Sequence, residues 1–93
     1  MEPFTIRHDG KTLKITSNLE YPIRIIEIIL RYHVTVNMID DKVGLKSITE
    51  NIKIDKELKR NQTIEIQTKL EDISEVSIIY KDQMIVRRVD LSL

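Results

Sequence analysis

Ile23-Arg24-Ile25-Ile26-Glu27-Ile28-Ile29-Leu30-Arg31-Tyr32-His33-Val34-Thr35-Val36-Asn37-Met38 is the stretch on which the fold turns. Ile26, Ile28, Leu30, Tyr32, Val34, Val36 and Met38 fall on every second position, against the mostly polar Glu27, Arg31, His33, Thr35 and Asn37. Successive side chains of an extended chain point to opposite faces, so this period of two predicts a β-strand. Ile23 and Ile25 stand in the other phase, which predicts a bulge near Ile25 and Ile26 that moves the apolar face by one residue. Unbroken, the stretch would extend ~50 Å at about 3.3 Å per residue, so a bend or a change of sheet is expected. A helix from Ser17 to His33 is the competing reading. Ser17-Asn18-Leu19-Glu20 matches a capping box, and Ile26, Ile29, Leu30 and His33 have helical spacing. Pro22 inside its first turns and the crowding of Ile from Ile25 to Ile29 both oppose that helix.

Working outward, Phe4 to His8 and Thr12 to Thr16 read as a strand pair around Asp9-Gly10, a dipeptide that tolerates the positive φ of a tight hairpin turn. Asp40-Asp41-Lys42 reads as a turn, followed by a weaker strand pattern from Val43 through Ile48 to Ile54. Asp55 to Gln62 is charged and apolar only at Leu58, which predicts a loop or a single helical turn. Thr63 to Leu70 alternates through Ile64, Ile66, Thr68 and Leu70, and Val76, Ile78 and Tyr80 alternate again. Lys81-Asp82-Gln83 turns the chain, and Met84 to Leu93 returns. Met84 and Val86 are out of phase with Val89, Leu91 and Leu93, which predicts a bulge at Arg87-Arg88. About seven closely spaced strands without a crossover helix predict an all-β antiparallel sandwich or barrel.

Composition agrees. Ile is abundant and Ala absent, a bias toward residues that suit a pleated sheet, although an AT-rich genome or a hot habitat would also enrich Ile and Lys. At 93 residues, 41% hydrophobic and 32% charged, the chain is expected to fold as one domain, residues 1–93, since two cores would each be too small. Lys and Arg balance Asp and Glu at 15 each, which gives no overall electrostatic drive toward nucleic acid or an anionic membrane. No secretory signal or membrane span is visible, so the chain reads as soluble and cytoplasmic, with a cell-surface location following if an anchor has been lost. The absence of Cys removes disulfides, thiolate zinc sites and thiol nucleophiles.

Chemistry is hard to find. His8 and His33, the two histidines, lack the neighbours of a zinc site or a nucleophilic triad and are expected on solvent faces. Asp9-Gly10 and Asp40-Asp41 lack the spacing of a calcium loop, and two glycines cannot build a phosphate-binding loop. The expectation is therefore no enzyme, no cofactor and no metal. Lys53, Lys56, Lys59 and Arg60, with Arg87 and Arg88, form the nearest approach to a basic patch; a small nucleic-acid-binding β-barrel would need them to converge on one face. Apolar residues fall on both faces between Ile25 and Ile29, whereas one face of a sandwich strand ordinarily meets water. Ile25, Ile26 and Ile29, with Tyr21 and Tyr32 as aromatic anchors, are the candidate partner-binding residues, for a protein partner or a second copy.

Thr12-Leu13-Lys14-Ile15-Thr16-Ser17-Asn18-Leu19-Glu20-Tyr21-Pro22-Ile23-Arg24-Ile25 resembles the early strands of immunoglobulin-like sandwich domains of archaeal surface and filament-associated proteins. Leu58 to Ile66 looks like their loop into a middle strand, and Val76 to Asp82 like their penultimate strand and turn. Arg60-Asn61 stands where that loop usually carries Pro-Gly. The resemblance implies an immunoglobulin-like antiparallel β-sandwich of about seven strands, acting as a protein-binding or structural accessory domain through a face or an edge. It carries over no functional residues.

Overall fold

A computed structural model describes residues 2–37, 43–69 and 71–93. Seven strands follow one another: β1 (Phe4–Asp9), β2 (Thr12–Ser17), β3 (Ile23–Asn37), β4 (Val43–Leu58), β5 (Thr63–Gln67), β6 (Ile73–Asp82) and β7 (Ile85–Ser92). They form two antiparallel sheets, one of three strands in the order β1-β2-β5 and one of four in the order β4-β3-β6-β7. No helix occurs among the described residues. Asp40-Asp41-Lys42, Met38 and Leu70 lie outside the described residues.

Alternation assigns the faces. Phe4, Leu13, Ile15 and Ile64 from the smaller sheet meet Ile23, Ile25, Ile28, Leu30, Tyr32, Leu58, Ile73, Val76, Ile78 and Tyr80 in one contiguous core. The Phe4 ring stands edge-on to Tyr80, with centroids 5.1 Å apart, and so ties the first strand of one sheet to the end of β6 in the other.

β3 is a strand, and its antiparallel pairing with β4 and β6 excludes the helix. The Ser17 hydroxyl accepts the Leu19 N–H two residues on, and its backbone is held by Asn61 and Gln62, so Ser17 closes a turn. The phase change falls where the apolar pattern breaks. Pairing with β6 runs Ile25↔Tyr80 and then Glu27↔Ile79, leaving Ile26 as the inserted residue. Ile23 and Ile25 point inward before it, and Ile28, Leu30 and Tyr32 after it. The strand stays in one sheet along its whole length. β6 follows it only as far as Tyr32↔Ile73, and beyond that β3 pairs with β4 alone. The molecule is accordingly elongated, 54 × 25 × 24 Å.

Two other expectations are corrected. Asp55 to Leu58 belongs to β4, because its charged side chains sit on an exposed sheet edge, where strand pairing requires no apolar alternation. No bulge occurs at Arg87-Arg88, since β6 and β7 pair without a shift from Glu75↔Ser92 to Asp82↔Ile85. Met84 lies in the turn and Val86 simply faces away from the core, which produced the apparent change of phase.

The turns carry their own logic. Gly10 has φ 60 at the first position of a two-residue hairpin loop, and nothing lies within 4 Å of where a Cβ would be, so backbone conformation alone calls for glycine. Asn61 takes φ 66 at the third position of the Lys59–Gln62 turn, where a type II turn demands a residue tolerant of positive φ. Gln83 and Met84 both have positive φ, 48 and 79, in the two-residue loop of the last hairpin.

Candidate partner-binding face

The four-stranded sheet has an outer face, directed away from the smaller sheet, and its residues follow from the register. Direct cross-strand partners share a face, so Ile29 with Ser77 and Glu27 with Ile79 lie outward, and Ile79 is a diagonal neighbour of Ile29. Ile26, pushed out by the bulge, stands beside them. Ile26 is 36% exposed, and Ile29 and Ile79 are half-buried. Val86 on the edge strand shares this face and is 61% exposed. The result is an apolar strip across three strands of a sheet whose other face is already committed to the core.

Glu27 lies within the strip, opposite Ile79, and accepts from Asn51 at 3.5 Å, and several of the charged residues around it are paired. Arg24 binds Asp55 at 2.7 Å, Arg31 lies 3.6 Å from Glu75, and the Arg88 Nε donates to Asp90 at 3.0 Å. Ser77 also donates to Asp90, and these donors hold the Asp90 carboxyl below the usual aspartate range, the Ser77 bond first and the Arg88 bond second. Apolar and polar side chains thus lie side by side on this face, with the ion pairs at its border.

The five residues singled out from sequence do not form one site. Ile26 and Ile29 share the outer strip. Ile25 and Tyr32 are fully buried and belong to the core, so their contribution to a surface is indirect. The Tyr32 hydroxyl donates to Glu50 at 2.7 Å. Tyr21 lies in the connection between β2 and β3, where its hydroxyl donates to Asp82 at 3.0 Å. That bond, then partial burial, raises the Tyr21 pKa, because ionisation would set two negative oxygens side by side. Asp82, buried, also accepts from the Arg87 Nε at 3.2 Å. The cluster braces the last hairpin. Ile79 and Val86 were missed. The signal for Ile79 was its position next to Ile78, since two adjacent apolar residues in a strand cannot both face the core.

The basic residues do not converge. Lys53 and Lys56 lie on β4, and Lys59 and Arg60 just beyond it, while Arg87 and Arg88 lie on β7 at the opposite edge of the same sheet. Three strand spacings, roughly 14 Å, separate the groups. Arg87 and Arg88 are engaged by Asp82 and Asp90. His33 is exposed as expected, but His8 is half-buried in the inward phase of β1, opposite Leu13, and its Nε2 is buried without a hydrogen-bond partner. Among the described residues no three His, Asp or Glu side chains gather as a metal site would require, and no helix is long and apolar enough to cross a membrane.

No family model, curated protein or solved structure matches the chain.

Proposed function

We propose that the chain is an immunoglobulin-like sandwich that works as a non-enzymatic protein-binding or structural accessory domain, docking a protein through the outer strip of Ile26, Ile29 and Ile79. The strand order supports the immunoglobulin-like reading: the first, second and fifth strands share one sheet, and the third, sixth and seventh adjoin in the other. It departs from the constant-type arrangement in its fourth strand, which pairs with the third. The observation that carries the functional reading is the strip itself, three isoleucines on the face of a sandwich sheet where alternation ordinarily places polar side chains. The rim favours a protein over a nucleic acid, because its charges are of both signs and already neutralise one another.

Ile29→Lys tests the reading. A lysine there can turn its ammonium to water, so the variant is expected to melt within a few degrees of the parent and to lose the bound protein in an affinity pull-down. Retained binding, or collapse of the fold, would refute it.

A further inference from the structure

We infer that a second copy of this chain adds to the free edge of β4, antiparallel and centred on Ile48, so that two four-stranded sheets become one of eight strands. This surface is separate from the outer strip and does not depend on it.

The distal part of β3 and β4 is a two-stranded ribbon. From His33↔Ser47 to Asn37↔Val43 it has no third strand, because β6 stops at Ile73 opposite Tyr32. A ribbon of two strands is marginal in water by itself. Its outer edge is β4, the end strand of the sheet, which has no strand on its far side among the described residues. Natural edges are defended by charge, proline or bulges, yet the seven residues from Val43 to Thr49 contain no proline and a single charge, Lys46. Leu45 is 78% exposed and Ile48 38%.

The sequence about Ile48 is complementary to its own reverse. A two-fold axis at Ile48 sets Ile48 against its copy, Lys46 against Glu50, Ser47 against Thr49, and Glu50 against Lys46. Cross-strand partners share a face, and Ile73, Tyr32 and Ile48 already form a row across β6, β3 and β4. The axis continues that row into the second copy's Ile48, Tyr32 and Ile73. On either side of it the two Lys46–Glu50 pairs close the seam. Lys46 faces Val34 and makes no ion pair among the described residues, while the Glu50 side chain, 17% exposed, already meets the Tyr32 hydroxyl and Lys69 at 3.9 Å, so the second copy's lysine would join an existing cluster. Neighbouring registers lose this match. An axis at Thr49 places Glu50 against Ile48 and Lys46 against Ile52, and one at Ser47 places Lys46 against Ile48 and Glu50 against Gly44. Each of them sets Lys46 and Glu50 against an apolar side chain or a glycine and forfeits both ion pairs.

Sedimentation equilibrium of the full chain measures the association, with a dimer expected at micromolar concentrations. Lys46→Glu sets carboxylates against each other twice and weakens the dimer about tenfold or more, while adding Glu50→Lys restores most of the loss. The chain has no cysteine, so a single introduced thiol reports the register. Ile48→Cys is expected to oxidise to a covalent dimer, because directly opposed Cα atoms lie about 4.5–5.5 Å apart. Leu45→Cys is expected not to, its copies being ~20 Å apart along the strands. A monomer at every concentration, a dimer indifferent to Lys46→Glu, or cross-linking at Leu45→Cys in place of Ile48→Cys would each overturn the inference. Ile29→Lys, on the opposite face of the sheet, leaves this dimer intact, so failure here and failure of the outer strip read out separately.

Discussion

The last hairpin holds two residues in a conformation that favours glycine, and relieving it is expected to stabilise the domain. Gln83 and Met84 both take positive φ between Asp82 and Ile85, the signature of a type I′ turn, for which Asn-Gly is the preferred pair. An L side chain in that region costs about 1–2 kcal/mol, and Met84, 84% exposed, gains no burial in return. Replacing Met84 by Gly removes the strain but adds roughly 0.5–1 kcal/mol of conformational entropy to the unfolded chain. Gln83→Asn recovers a few tenths through the tolerance of Asn for this region, about 0.3 kcal/mol. The double variant should therefore be more stable by about 1 kcal/mol, which raises Tm by roughly 4–8 °C in a domain of this size. Thermal unfolding by circular dichroism, repeated in urea, would measure it. An unchanged or lowered Tm would refute the turn assignment, since a turn with negative φ at these positions would gain nothing from glycine.

Leu30→Ala removes a fully buried side chain from the centre of β3 and should cost about 2–5 kcal/mol, a large part of the roughly 5–14 kcal/mol expected of such a domain; urea denaturation decides it. Asp90 titrates below its unfolded value, so its contribution to stability is present above the usual aspartate pKa and declines as pH falls toward the native one. Asp90→Asn should flatten that acid limb in a pH series of melting curves, and an unchanged limb would show that the Ser77 and Arg88 contacts do not favour the ionised form.

Most of the sandwich was legible because one face of each inner strand is buried, and burial on one face writes a period of two. β2 and β3 show it plainly, down to the phase change at Ile26. Legibility failed where packing does not constrain side chains. Asp55 to Leu58 is strand on an exposed edge, so its charges looked like loop, and Met84 in a strained turn imitated a strand residue out of phase. The candidate face was half legible for the same reason. Successive isoleucines from Ile25 to Ile29 showed that some must face outward, but the bulge decides which, and it sends Ile25 inward and Ile26 outward. Tyr32 and Tyr21 could not be placed, because a tyrosine in a strand reads alike whether its hydroxyl reaches Glu50, Asp82 or a partner. Ile79 comes from a strand 50 residues away, and only the register brings it beside Ile29.

Site-directed photo-cross-linking in the native cells tests most directly whether a protein covers the outer strip. A photoreactive residue in place of Ile26, set against one in place of the exposed Glu65 on the outer side of the smaller sheet, should give a defined adduct with a single protein at the first position and none at the second. No adduct at either position, or the same scatter of adducts at both, would contradict it.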